Sequence, residues 1–149
     1  MEKQEYELWK KLDIYGYKVM VSIFQNTPKN VKKYHEKGKN DIVIRELKRL
    51  EETCEKYRRR IEIINVNDYD IRLFPIDLIN SLKTRVYKSL LELPNILKAD
   101  INTGVFVISI EYSAKETVFM LELGKNINEQ PGYREYRKLT KEEDRIINW

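Results

Sequence analysis

Residues 104–123, GVFVISIEYSAKETVFMLEL, decide how the fold of this chain is predicted. Apolar side chains alternate along both halves of the stretch, and alternation is typical of strands, whose successive side chains point to opposite faces. A turn at Ala114 and Lys115 would join the two strands into a β-hairpin. One face then carries four largely apolar pairs, Phe106–Leu123, Ile108–Leu121, Ile110–Phe119 and Tyr112–Thr117. Slipping the register by one residue would bury Glu122, and an unpaired buried carboxylate is costly, so the first register is expected.

The opposite face of this predicted hairpin is half apolar. Its apolar members are Val105, Val107, Val118 and Met120. The chain also contains ten tyrosines, a residue type enriched in protein interfaces. The face is therefore a candidate interface, in a homodimer or with another protein. The alternative is that the N-terminal helix or the terminal helix carrying Trp149 covers it.

The rest of the chain predicts helices and strands in alternation. Residues 41–60 carry an apolar stripe at the 4-3-4-3-4 spacing of a helix, from Val43 to Ile61. The predicted elements are a helix at 2–12, a strand at 17–24, a basic loop at 25–40, a helix at 41–60, a strand at 61–66, a helix at 76–93 ended by Pro94, the hairpin, an irregular basic segment at 124–139 and a helix at 141–148. We expect an α+β fold with a mixed sheet of about four strands and two long packing helices, in the order α-β-α-β-α-β-β-α.

Composition bounds the class of protein. A chain of 149 residues is expected to form a single domain over residues 1–149. Charged residues make up 35% and hydrophobic residues 42%, which favours a globular chain, and no apolar run reaches the length of a membrane span. The lone Cys54 excludes an internal disulfide and fits a reducing compartment, so a cytoplasmic location is expected. Heavy use of lysine and glutamate is also found in thermophilic proteins.

Basic residues interleaved with aromatic ones give the leading functional hypothesis. The net charge is +4, and residues 25–40 alone reach +4 with five lysines against Glu36. Lysines neutralise phosphates, and exposed rings can stack on bases. The predicted nucleic-acid contacts are Lys29, Lys32, Lys33, Tyr34, Lys37 and Lys39 in the first cluster, and Tyr133, Arg134, Tyr136, Arg137 and Lys138 in the second. Arg58, Arg59 and Arg60 form a third cluster. The sequence thus favours a small non-enzymatic protein that binds nucleic acid such as DNA, or an accessory protein that contacts phosphates through these clusters.

A metal-dependent nuclease is the enzymatic alternative. Its candidate residues are Asp100, Glu111, Glu122 and Lys125. In the predicted hairpin Glu111 and Glu122 lie four rows apart, roughly 13 Å, which is too far for one metal ion to bridge. His35 is the only histidine, which excludes a two-histidine metal site within one chain. We therefore predict no catalytic residue, no metal and no cofactor.

Overall fold

The computed structural model describes residues 1–13, 15–70, 72 and 74–147, without the side chains of 15–17 and 143–147. In these residues helices account for all regular structure, and there is no strand. The helices are α1 (Lys3–Lys11), α2 (Tyr15–Glu36), α3 (Asn40–Glu62), α4 (Ile76–Ser81), α5 (Tyr87–Thr103), α6 (Val107–Asn128) and α7 (Pro131–Ile147). A 3-10 turn, Val66–Asp68, follows α3, and a π-helical turn, Leu82–Val86, joins α4 to α5 without a break. The predicted α+β fold with its sheet is therefore wrong.

Four long helical segments form an up-down-up-down bundle: α2, α3, the continuous α4–α5 segment and α6. Each packs against its neighbours in the chain, and α6 closes the ring against α2. The remaining helices, α1 and α7, pack together, with the rings of Trp9 and Tyr133 5.9 Å apart. They lie at the end of the bundle where α2 begins and α6 ends. None of the described helices has the length and apolar character needed to cross a membrane.

The predicted hairpin is the first part of α6, and its actual period is helical. Buried residues recur every three or four positions along it: Ser109, Ser113, Glu116, Thr117, Met120, Leu123, Gly124 and Ile127. Most of the early ones are small or polar, while apolar Val107, Ile108 and Val118 are exposed. Apolar residues thus occur on all sides of the helix, so the stretch satisfies a period of two as well as a period near 3.6. Small side chains at 109 and 113 allow α6 to approach its neighbours closely.

The turn before α6 has its own signals. Thr103 is the last residue of α5, and Gly104 follows with φ +76°, in the left-handed region that ends many helices. Its N–H donates to the carbonyl of Asp100 at 2.8 Å. The buried carboxylate of Asp100 in turn accepts from the backbone N–H of Ser109, which is in the first turn of α6. Residues 104–106 therefore connect two helices rather than begin a strand.

The other predicted elements have mixed outcomes. The helix expected at 41–60 is confirmed as α3, and its stripe is buried apart from the half-buried Leu47. The expected strands at 17–24 and 61–66 are wrong. The first belongs to α2, and the second covers the end of α3, a short connection and the start of the 3-10 turn. The loop at 25–40 is wrong as well, since α2 continues to Glu36 and only a short turn separates it from α3. The irregular segment at 124–139 consists mainly of the end of α6 and the first half of α7. The terminal helix begins at Pro131 rather than 141, and residues 148 and 149 lie outside the described part of the chain.

Prolines caused two of these errors, because Pro28 and Pro94 both lie inside helices. A proline lacks the N–H that would bond the carbonyl four residues earlier. For Pro94 that carbonyl belongs to Leu90, and Arg58 of α3 donates to it from Nη1 at 3.3 Å. A neighbouring helix thus replaces the lost donor, and the predicted end of the helix at Pro94 does not occur.

Candidate functional site

The residues 29–49, here called the basic tip, hold the end of α2, the turn and the first half of α3. Eight of them are basic and three are acidic, a net charge of +5, while the whole chain carries +4. The basic residues are Lys29, Lys32, Lys33, Lys37, Lys39, Arg45, Lys48 and Arg49, and all eight are exposed. The positive charge of the protein is therefore concentrated at one end of the bundle.

Helical periodicity explains why these cations point outward. In α2 the buried positions after 21 are 24, 27, 28 and 31, which leaves Lys29, Lys32 and Lys33 on the solvent side. In α3 the burial of Val43 and Leu50 leaves Arg45 and its neighbours outward. Because α2 and α3 run antiparallel from a short turn, residues equally far from that turn lie at similar heights. The exposed cations of the two helices therefore lie at similar heights near the same end of the bundle.

The turn itself is fixed by a glycine. Gly38 has φ +70°, and its N–H donates to the carbonyl of His35 at 3.0 Å. The N–H of Lys39 donates to the carbonyl of Tyr34 at 3.0 Å, which completes a Schellman motif. This motif ends α2 and directs the chain straight into α3. The sequence Glu-Lys-Gly at 36–38 is the signal that could have predicted it.

The cations of the basic tip are largely uncommitted within the chain. Lys32 lies 4.0 Å from Glu36, an exposed pair of little energetic weight. Lys33 lies over the ring of Tyr34, with 5.9 Å between Nζ and the ring centroid. Within the described part of the chain no other cation of the tip forms an ion pair. Most of this charge is thus free to meet an external anion.

The two aromatic residues nearest the turn are anchored in the bundle. Tyr34 is half-buried and packs against the core. The ring of His35 meets that of Phe106 edge-on, with 5.3 Å between centroids. The predicted stacking ring of Tyr34 therefore offers only part of its surface to a base.

The second predicted cluster is at the opposite end of the bundle. Tyr133 and Tyr136 are 4% and 1% exposed and pack against α1, so neither ring can stack on a base. The hydroxyl of Tyr136 donates to Asp13. Burial raises the pKa of the phenols of Tyr133 and Tyr136. Arg134 and Lys138 are exposed, and Arg137 is half-buried. Because α6 has 22 residues, about 30 Å of helix separates this cluster from the basic tip.

The third cluster is likewise engaged elsewhere. Arg58 donates to Leu90, as described above, and Arg59 forms an ion pair with Glu55 at 2.7 Å. The guanidinium of Arg60 lies over the ring of Tyr57 at 5.3 Å. All three are at the end of α3, far from the basic tip. The three predicted basic clusters therefore do not form one surface.

The structure also separates the candidate nuclease residues. Asp100 is buried as a helix cap, whereas Glu111 and Glu122 are exposed on α6, eleven residues or about 16 Å apart along the helix. Lys125 is exposed on the same helix. In the described residues no group of three His, Cys, Asp or Glu side chains is arranged to hold a metal ion. The nuclease hypothesis therefore has no assembled site in the described residues.

Cys54 and His35 do not form a nucleophile pair. Cys54 is 1% exposed in the middle of α3, and burial raises the pKa of its thiol to about 12. His35 is near the end of α2, and about 20 Å of α3 lies between its beginning and Cys54. The thiol therefore stays protonated and unreactive in the folded protein.

A polar cluster between α5 and α6 was not predicted from the sequence. Glu116, only 6% exposed, accepts from the hydroxyl of Ser89 at 2.7 Å and from Nε of Arg85 at 3.3 Å. The guanidinium of Arg85 also lies 3.8 Å from the ring centroid of Phe119. Nearby, the hydroxyl of Tyr112 donates to the carboxylate of Glu92 on α5 at 2.7 Å. A groove of about 540 Å³ lies beside the π-helical turn, and its lining includes Arg85, Ser89, Tyr112 and Glu116.

The chemistry of this groove favours a structural role. The buried carboxylate of Glu116 is neutralised by Arg85, and Lys88 forms an ion pair with Glu92 on α5. The cluster joins α5 to α6, and the groove carries a net charge of only +1 because Lys115 also lines it. The signal that could have found it is the placement of Ser89 and Glu116 on the buried sides of two helices.

The predicted interface residues have two different environments. Val105, Val107 and Val118 are 59%, 56% and 58% exposed, while Met120 is fully buried in the core. Because this stretch is a helix and not a hairpin, Met120 does not share a face with the valines.

Comparisons of the chain with protein-family models, curated proteins and solved structures find no significant match.

Proposed function

We propose that this protein binds nucleic acid without catalysis, and that it contacts phosphates through the basic tip. The observation that carries the proposal is the net charge of +5 within 21 consecutive residues whose cations are exposed and mostly unpaired. Nucleic-acid binding releases counterions from the phosphates that protein cations neutralise. A concentrated patch of this kind suits such a partner better than an isolated phosphate group.

The shape of the tip suggests which part of the nucleic acid it contacts. Two antiparallel helices side by side present a convex surface about 10 Å across between their axes. Its cations include Arg45 and Arg49, whose planar guanidinium groups bind phosphate oxygens in pairs. The partly buried Tyr34 adds little stacking surface. We therefore expect contacts with the backbone of the nucleic acid and little dependence on its base sequence.

We expect the protein to bind nucleic acid in the cytoplasm. Nucleic acid is present there, and a reducing medium suits a chain whose single cysteine is free.

A salt titration tests the proposal. A fluorescent DNA duplex is titrated with the protein across a series of salt concentrations. If about four to six phosphates are neutralised, log K should fall with log salt with a slope of about −4 to −5. Absence of binding at low salt, or binding that does not respond to salt, would overturn the proposal.

A pair of matched variants locates the contact surface. One carries Arg45→Gln, Lys48→Gln and Arg49→Gln at the basic tip. The control removes the same charges from the far end of α3, with Lys56→Gln, Arg59→Gln and Arg60→Gln. We expect the first to lower the slope by about 2 to 3 and the control to leave it nearly unchanged. Equal losses in both variants would show that the tip is not the contact surface.

A further inference from the structure

The outer face of α6 is apolar although the helix is already packed on two sides. Val107, Val118 and Leu121 are 56%, 58% and 52% exposed, and Ala114 lies between them on the same side. These positions fall within about 60° of one another around the helix axis, so they form one line along it. An apolar line on a solvent-facing helix is typical of an interaction surface.

Four exposed charged residues lie on this line or beside it. Glu111, Lys115, Glu122 and Lys125 form no ion pair with any residue that the structure describes. Glu111 and Lys115 have the i,i+4 spacing at which such residues often pair within a helix. Their charges thus remain available to a partner.

The order of these charges is antisymmetric about Val118. Glu111 lies seven residues before Val118, and Lys125 lies seven residues after it. Lys115 lies three residues before, and Glu122 lies four residues after. When a second copy of the helix is laid antiparallel with Val118 at the centre, each acidic residue therefore meets a basic one. A parallel arrangement would instead bring every charge against its own copy.

We infer that this face of α6 joins two copies of the chain in an antiparallel, two-fold symmetric dimer. Such an interface uses the same patch on both subunits, so it requires this self-complementarity. Val118 lies on the two-fold axis and meets its own copy. The small side chain of Ala114 faces Leu121 of the second copy, which lets the two helices approach closely. The face adjoins the basic tip, because Lys32 lines one groove together with Val107 and Glu111. The inference itself does not rest on nucleic-acid binding.

The dimensions of the face set the strength of the contact. From Val107 to Lys125 the helix extends about 27 Å. One helix pair buries less than the roughly 1,600 Å² of a standard stable interface. A dissociation constant in the micromolar range is therefore expected.

Charge reversal gives a sharp test by sedimentation equilibrium of the full chain at about 5 to 300 µM. In either single variant, E111K or K125E, residues 111 and 125 have the same charge, so like charges meet at both symmetry-related contacts. We expect each variant to raise the dissociation constant at least about tenfold. The double variant E111K/K125E restores opposite charges and should return to within about threefold of the wild type. E52K, an equal charge change at an exposed position on α3, is the control and should leave the constant unchanged.

Two results would overturn the inference. The first is a wild-type protein that stays monomeric at the highest concentration, and the second is a double variant as weak as the single ones. V118E provides a further check, because it brings two carboxylates together on the axis and should abolish the dimer. Circular dichroism should show that V118E keeps the wild-type fold, since this side chain is exposed. A V118E protein that dimerises like the wild type would also contradict the proposed register.

Discussion

The carboxylate of Asp100 accepts a hydrogen bond of 2.7 Å from the backbone N–H of Ser109. The first turn of a helix has N–H groups without partners inside the helix. Both residues are buried, so water cannot easily replace the contact. The last turn of α5 thus caps the first turn of α6, so a hydrogen bond as well as the chain connection holds the two helices together.

Replacing Asp100 with alanine should destabilise the protein by about 1–2 kcal/mol, because a buried N–H loses its acceptor. Asp100→Asn keeps an oxygen acceptor and should cost less. Urea unfolding followed by circular dichroism measures both. Glu111→Ala is the control, since it removes an exposed carboxylate from the same helix. If Asp100→Ala and Glu111→Ala have equal midpoints, the cap has no energetic role.

Replacing Arg58 with methionine should cost about 1–2 kcal/mol, because the carbonyl of Leu90 is left without a donor. Pro94→Ala would supply an N–H within the helix that can bond the same carbonyl. The cost of Arg58→Met should therefore be smaller in the Pro94→Ala background. A double-mutant cycle from urea unfolding measures this difference. Additive costs would mean that Arg58 does not compensate for the proline.

Gly38→Ala should destabilise the basic tip by about 1 kcal/mol, because φ +70° is strained for a residue with a Cβ. Apart from the two chain neighbours, no atom of another described residue lies within 4 Å of the position that a Cβ would occupy, so the cost comes from the backbone and not from a clash. Gly38→Asn should cost less, since asparagine adopts this conformation more readily. Thermal unfolding of the two variants checks the order, which a purely steric effect would reverse.

The raised pKa of Asp13 should make the free energy of unfolding depend on pH. Partial burial raises the pKa of this carboxyl, against the opposing effects of its hydrogen bond with Tyr136 and the charges of Arg137 and Arg60. The folded state then binds the proton more tightly than the unfolded state, so the stability due to this group falls as the pH rises from the unfolded pKa through the folded one. Asp13→Asn should therefore be more stable than the wild type near about pH 7 and similar near about pH 3. Urea unfolding at both pH values measures this, and a variant less stable at neutral pH would refute it.

The thiol of Cys54 should resist labelling until the protein unfolds. Burial raises its pKa to about 12, so neither access nor thiolate is available near neutral pH. A thiol reagent should therefore react at a rate set by opening of the bundle, and denaturant should accelerate the reaction strongly. A rate equal to that of a free thiol in native buffer would contradict the burial of α3.

The sequence predicts some helices well because their apolar stripes have one period only. The stripe from Val43 to Ile61 has no alternative interpretation, and α3 follows it. In α6 the apolar residues surround the helix, so the local pattern also fits a strand. The contact that favours the helix joins Asp100 to Ser109, and a carboxylate nine residues away is not visible to a local pattern. Pro94 is similar, since its compensating donor comes from another helix.

The sequence predicts only part of the basic tip. Lys29 to Lys39 form a charged segment, but Arg45, Lys48 and Arg49 fall in a separate predicted helix. Only the tight turn at Gly38 brings the two sets together. For Tyr133 and Tyr136 the sequence instead predicts exposed stacking rings that are buried in the structure. Sequence alone does not reveal that Trp9 packs against Tyr133.

The concentration of charge at the basic tip gives salt two opposing effects on this protein. Cations crowded at the end of two neighbouring helices repel one another, and added salt screens this repulsion. The same ions weaken the attraction of the tip to phosphates. Raising the ionic strength should therefore make the free protein harder to unfold while making its nucleic-acid complex easier to dissociate. A bound polyanion would relieve the same repulsion, so the protein should melt at a higher temperature in its presence than alone.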